Sequence, residues 1–404
     1  MLVENKVLFG IFLLTTSALG FFLGAYVVFG FEPQRSLLDC DNMSGSRQVD
    51  CVYRLINKEL QTKGIESGMD LFALAYNRFV SFSGTGCHRH AHRVGDMVYY
   101  ENYLQNGGLE NIVFSQNTTA CGYGFFHGFI EHLVQDRPVP RFVTDTCSYL
   151  DEKYGETMGD IRIICYHGSG HGFMLNHIER VSAGEWGKVN SFVEEPITYC
   201  EQLPDANHIE MEECFQGIFN ILADWMEDEE FGFDYDEYNP FGVCGEVGEK
   251  YRHACNYELA QKLGGIVEND PVQVYEVAIR VEDRKFREVV FGVAVAGIIQ
   301  QTINDGLGYE WVLDRCNDLA DDFFEICISS TVNGLFEHGE PQNEYRIPLR
   351  LCTENAIVNR GLGLMCHKAI SDRLRRFYEP SRIDKICTEF TNESQELCEE
   401  HAKK

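Results

Sequence analysis

Three segments of the chain carry side chains that bind metals, at a spacing a helix can use. His88 and His92 lie in CHRHAHRVG, His127 and Glu131 in CGYGFFHGFIEH, and His167 and His171 in CYHGSGHGFM. On a helix, positions i and i+4 share a face, so each segment directs two ligating groups at one point. Pairs of this kind, projecting inward from neighbouring helices, are how helical proteins build metal centres. Five imidazoles and one carboxylate exceed the needs of a single zinc ion. They suit one ion with supported ligands, or two ions sharing Glu131 as a bridge. In an enzyme the metal would lower the pKa of a bound water or bind dioxygen, with Glu131 as general base or bridging ligand. A set rich in histidine and poor in carboxylate points to zinc or copper, with iron also open. Met174 is either a soft ligand for copper or a core side chain.

The competing reading makes the same residues a buried imidazole network, or exposed histidines in glycine-rich turns. His90, His132 and His177 fall off the paired positions and read as surface residues or as supports for a ligand. His208, His253, His338, His367 and His401 stand alone in the sequence and read as structural or exposed. No Cys-x-x-Cys-His occurs, which disfavours covalent haem, and no two cysteines lie two to four apart, which disfavours a zinc finger.

The elements that must position these groups are marked by the cysteines. All sixteen group into pairs: Cys40 with Cys51, Cys87 with Cys121, Cys147 with Cys165, Cys200 with Cys214, Cys244 with Cys255, Cys316 with Cys327, Cys352 with Cys366, and Cys387 with Cys398. Between the members lie polar, turn-like residues, and after the second member an apolar helical pattern begins, as in CFQGIFNILADW. The economical unit is a helix ending near the first cysteine, a connection, and a second helix starting at the next, stapled by a disulfide. Cys87 and Cys121 would instead bridge adjacent hairpins, or stay as thiolate ligands. Second cysteines recur at the interval of helical-hairpin repeats, and strand signals are scarce. The expected fold is therefore all-α, an array of disulfide-stapled helical hairpins, either a solenoid or a toroid. CGYGFFHG, CYHGSGHG and CFQGIFNI also share Cys-x-x-Gly-x-x-[His/Asn]. A glycine inside a helix costs about 1 kcal/mol relative to alanine, so its recurrence implies close approach of helices, or of a ligand to backbone.

Composition narrows the setting. A formal net charge of -29 argues against nucleic acid and against anionic lipid surfaces. The densest acidic run, Glu227 to Tyr238, lacks the spacing of a calcium loop and reads as a solvated loop. Residues 7–31 hold no charge over 25 positions, about 37 Å of helix, enough for a membrane anchor in place of a cleaved signal. The apolar stretch near residue 290 is shorter and reads as a buried helix. Paired cysteines behind such an anchor place the body outside the cytoplasm, periplasmic or extracellular. Asn42, Asn117 and Asn392 begin glycosylation sequons compatible with that location. The expected organisation is an anchor with short flanks at 1–34, a His/Cys-rich helical-repeat region with the metal site at 35–255, and a C-terminal helical-repeat region at 256–404.

The ordered blocks CHRHAH, GFFHGFIEH, CYHGSGHGFM and CFQGIFN, over residues 87–220, resemble a family of exported bacterial helical proteins of unassigned function. Its members carry Cys-His-x-x-x-His, Gly-x-x-His-Gly, Cys-x-His-Gly-x-Gly-His-Gly and Cys-x-x-Gly-[Val/Ile]-Phe. In that family the fourth block often continues Met-Glu-Asn, where this chain has Asn220-Ile221-Leu222. The resemblance groups the three histidine blocks and implies no activity, cofactor or substrate. Three functions remain in play: a membrane-anchored, metal-dependent hydrolase or oxidoreductase; a helical scaffold binding a protein or peptide, a basic one given the acidic surface; and metal capture or delivery without catalysis.

Overall fold

The computed structural model describes residues 37–402 apart from 84–85, 227–230, 234–238, 282 and 305–306. The apolar segment 7–31 and most of the acidic run 227–238 therefore lie outside the described residues. Among the described residues there are helices and turns and no strand. The long helices are α1 (Ser46–Lys63), α2 (Ile65–Arg78), α3 (Cys87–Val98), α4 (Gly124–Asp136), α5 (Pro140–Met158), α6 (Ile161–Ile178), α7 (Val189–Glu201) and α8 (His208–Met226). They continue with α9 (Arg252–Ile266), α10 (Pro271–Ala278), α11 (Arg284–Asn304), α12 (Tyr309–Cys316), α13 (Asp321–His338), α14 (Gly363–Phe377) and α15 (Asn392–His401).

One set of helices forms the inner wall. In chain order α3, α4, α6, α8, α9, α11 and α13 each pack on the next, while α5, α7, α10 and α12 lead back between them. Successive inner helices run parallel. Gly124 and Gly128 of α4 meet His88 and His92 of α3 in turn, and Asn220 and Asp224 of α8 meet Glu258 and Lys262 of α9. The array closes on itself. Helix α13 packs on α3, Gln342 donates to Asp70 at 3.0 Å, and Arg376 of α14 pairs with Asp160 at 2.9 Å. Of the two arrangements open to the repeat, the chain takes the closed one. Buried apolar side chains form two clusters, over residues 37–259 and 260–402, which divide within α9. Helix α11 is long and apolar enough to cross a membrane, yet Val290, Phe291, Ala294, Val295, Ile298 and Ile299 are fully buried in the second cluster.

All sixteen cysteines are joined in the eight expected pairs. Cys200, Cys316 and Cys387 stand at or beside the end of a helix, as the repeat requires. Two details differ from expectation. Cys147 lies inside α5, which runs on to Met158. Most second helices also begin before their cysteine, and at α8 capping sets the start. Asn207 accepts from the backbone N–H of Ile209 and Glu210, and Glu210 accepts from the N–H of Asn207. That reciprocal capping box starts α8 well ahead of Cys214.

The recurrent glycine marks backbone contact between inner helices at Gly124 and Gly217, whereas Gly168 faces the Ile130 side chain, and Gly172, one turn further on, adds another backbone contact. A Cβ on Gly124 would sit 2.5 Å from the His88 carbonyl oxygen, and one on Gly172 2.6 Å from that of Glu131. Helix approach accounts for the motif. Gly172→Ala should therefore destabilise the fold by about 1–3 kcal/mol through overpacking. Gly184→Ala, with nothing within 4 Å of its added methyl, should change stability by less than about 0.5 kcal/mol. Thermal melts of the two variants check this; equal melting temperatures would refute it.

Candidate metal centre

The three histidine-bearing segments become α3, α4 and α6, adjacent and parallel on the inner wall. Helix α4 is buried along almost its whole length, with Phe125, Phe126, Phe129 and Ile130 fully enclosed. His127 and Glu131 are therefore interior residues, 8% and 6% exposed, and His171 is 4% exposed. Glycine contact draws the helices close enough for their polar side chains to meet.

Glu131 is the hub. Its Oε2 lies 3.2 Å from His92 Nε2 and 3.2 Å from His171 Nδ1. Ligating atoms of His92, Glu131 and His171 all fall within 4.8 Å of one another. The other three expected ligands form an adjoining row. His88 Nε2 is 3.1 Å from His127 Nδ1, and the His127 ring lies 5.0 Å from His167 and 5.5 Å from His171, centre to centre. All six side chains thus gather in one place, but three of them converge tightly and three stand alongside.

Residues outside the three paired positions complete the site. Asp96 Oδ1 is 3.4 Å from His92 Nδ1 and 3.4 Å from His132 Nε2, so it orients His92 from behind. Glu213 of α8 lies 3.5 Å from His167 Nδ1. Glu258 of α9 is completely buried and accepts from Asn220 at 2.7 Å and Gln261 at 2.6 Å. His338, read from sequence as isolated, comes close enough to His88 on ring closure to depress its protonation. The Asp96 signal was legible, since it follows His92 by four residues; Glu213, Glu258 and His338 arrive from distant helices.

Some isolated histidines sit elsewhere. His90 corrects the surface reading: it is 2% exposed, stacked on Phe82 and hydrogen-bonded to the Tyr53 hydroxyl. One face of α3 points to the core there, and an imidazole fills it. His208 and His253 are exposed, and His367 is a buried structural residue bonded to the Gly363 carbonyl. His177 is anchored to the Ser191 carbonyl at 2.8 Å. Met174 is fully buried in the apolar core.

The electrostatics divide the cluster. Burial, reinforced by His92, His338 and His171, pushes His88 down to about 3. Burial and the surrounding imidazoles hold His127 well below the ordinary range. Burial also lowers His171, partly offset by Glu131. His92 goes the other way: burial opposes its charge, but Asp96 and Glu131 outweigh that and raise it to about 10. Glu131, despite burial, is held down to about 2 by His171 and His92. At neutral pH the centre thus presents His171 as a neutral imidazole and Glu131 as a carboxylate, the states that metal binding needs, while His92 is held as a cation and must lose its proton to ligate. No family model, curated protein or solved structure matches the chain, so the site is read from its own geometry.

The same shifts set an acid response. His88, His127 and His171 have lowered folded pKa values, so below their ordinary 6.5 the unfolded chain binds protons that the folded chain does not. Each then costs up to about 1.4 kcal/mol of stability per pH unit. The chelator-treated protein should melt at progressively lower temperature between pH 7 and pH 5, and His127→Gln should flatten that dependence. A wild-type melting temperature unchanged over this interval would contradict the neutral assignment.

Proposed function

We propose that the chain is a metal-dependent protein whose ion is held by His92, Glu131 and His171, with a coordination position left for water or substrate. The observation that carries this reading is the convergence of those three side chains, from three successive inner helices, to within 4.8 Å. Separations of 3.2 Å between the Glu131 oxygen and each imidazole nitrogen match the edge of a tetrahedron with 2.0–2.1 Å bonds, about 3.3 Å.

The donor set favours particular ions. Two imidazoles and a carboxylate serve catalytic zinc, and the same set serves non-haem iron(II). The carboxylate in the converged trio brings iron level with zinc and leaves copper the weakest claim at this position. Three protein ligands with one position free is the arrangement of catalytic ions, whereas structural zinc is enclosed by four. This supports an enzyme, hydrolytic with zinc or oxidative with iron, over capture of the metal alone. The bound ion would supply Lewis acidity or redox chemistry; Asp96 would hold the His92 ring, and Glu131 would act as ligand.

Clustering of the histidines on one stretch of inner wall supports this reading over a protein-binding scaffold, whose histidines would be spread over exposed turns. Eight disulfides fit an oxidising compartment, and a membrane-anchored body outside the cytoplasm remains the location we propose.

Metal content by mass spectrometry on the full chain, made in an oxidising compartment without a histidine tag, tests the reading. Bound zinc or iron should fall by about one equivalent in His92→Asn while helicity by circular dichroism is unchanged. Because His92 carries a proton at neutral pH, binding should release it, and affinity should rise with pH by up to about tenfold per unit between pH 6 and 8. A chain that stays metal-free after reconstitution with zinc(II) and with iron(II) would sink the proposal.

A further inference from the structure

The ion at Glu131 leaves the adjoining histidine row unused, and the hydrogen bonds of that row fix where its protons sit. His88 Nδ1 lies 2.9 Å from the Cys121 carbonyl oxygen. A carbonyl only accepts, so His88 carries its proton on Nδ1 and its Nε2 is a bare lone pair. That Nε2 faces His127 Nδ1 at 3.1 Å, which must then be the donor. His127 Nε2 is left bare. His171 follows the same logic: its Nδ1 faces the Glu131 carboxylate at 3.2 Å, so its Nε2 is bare as well. Both Nε2 atoms are buried and have no hydrogen-bond partner, on residues 8% and 4% exposed.

Leaving a buried polar atom unsatisfied is unfavourable, and here two such nitrogens occur on neighbouring helices. His167 stands with them, its Nδ1 directed at Glu213. Ring centres of His127, His167 and His171 form a triangle with sides of 5.0, 5.0 and 5.5 Å. Three imidazoles on one tetrahedral ion with 2.0–2.1 Å bonds have ring centres about 5.2 Å apart. Each also has its far nitrogen held by a carboxylate or an imidazole, the usual support for a metal-bound histidine.

We infer that His127, His167 and His171 form a second, all-imidazole site for a divalent transition metal, sharing His171 with the ion at Glu131. This rests on the proposed first site for the sharing, though not for the triangle itself. His171 would face the first ion through Nδ1 and the second through Nε2, releasing its ring proton to solvent as it bridges. Only the Glu131 trio is drawn together within 4.8 Å. The second site therefore needs the His127 and His167 rings, inclined at 26° to each other, to turn about their Cβ–Cγ bonds until their nitrogens face one point. A donor set of nitrogen alone suits zinc or copper, whereas the carboxylate site accepts iron.

Stoichiometry after reconstitution of the full chain with zinc(II) separates the two sites. Wild type should hold about two equivalents, His127→Asn one, His92→Asn one, and His171→Asn none. Reconstitution with copper(II) adds an independent reading: a bridged pair should show a diminished paramagnetic resonance signal that returns to full intensity per copper in His92→Asn. A His127→Asn chain that keeps the whole wild-type metal content would overturn the second site and leave the first intact. One equivalent lost in His127→Asn but kept in His92→Asn would support the triangle and remove the Glu131 site. Absence of metal from folded wild type would dispose of both.

Discussion

Contact between the backbones of parallel inner helices is the constraint on which the site depends. Side chains of histidine and glutamate reach only a few ångströms from their helix. For groups on α3, α4 and α6 to touch, those helices must approach more closely than alanine would allow. Gly124 and Gly128 meet the carbonyl oxygens of His88 and His92, and Gly172 meets that of Glu131. The glycines and the ligands thus alternate along the same helices, one set closing the gap that the other set spans. The cost of glycine in a helix is offset by burial on α4, where Phe125, Phe126, Phe129 and Ile130 are fully enclosed.

Disulfides hold this arrangement at a different level. A staple of 11 to 18 residues restricts the unfolded hairpin and fixes where each inner helix meets the helix before it. The bridge between Cys87 and Cys121 does something more specific, because it ties the first turn of α3 to the chain just before α4. His88 follows one of these cysteines, and the carbonyl of the other fixes its tautomer. Covalent staple and proton placement are therefore part of the same local structure. The inner wall owes its form to packing and disulfides, so a metal would meet the Glu131 trio already converged.

Much of this was legible because the repeat is local. The cysteine pairs other than Cys87–Cys121, the recurring glycine and the three i, i+4 pairs each lie within one hairpin, where spacing along the chain translates directly into position on a helix. What stayed hidden depends on distance along the chain. Glu213 and Glu258 come from α8 and α9, and His338 meets His88 only because the array closes, a property of small rotations summed over every repeat. His90 misled for a different reason. Its neighbours in CHRHAH suggest a polar surface, yet the other side of α3 faces Phe82 and Tyr53. Helical phase, which alternating histidines conceal, decides which of them is core.

The repeat also explains why chemistry is confined to one part of the ring. Six residues after the second cysteine of each unit the side chain is polar: His127, His171, Asn220, Gln261 and Asn333. These positions lie at corresponding places on α4, α6, α8, α9 and α13, so the wall carries a polar layer that is interrupted at the cysteine-free α11. Where the layer is histidine it can bind an ion; where it is amide it can only hydrogen-bond. The change occurs between α6 and α8, and there Asn220 and Gln261 clamp the buried carboxyl of Glu258. Glu258 stands three residues after Cys255, the position taken by glycine in α4, α6 and α8. Burial pushes it up to about 7. One repeat position thus serves helix approach where it is glycine, and places a titratable group beside the histidines where it is glutamate.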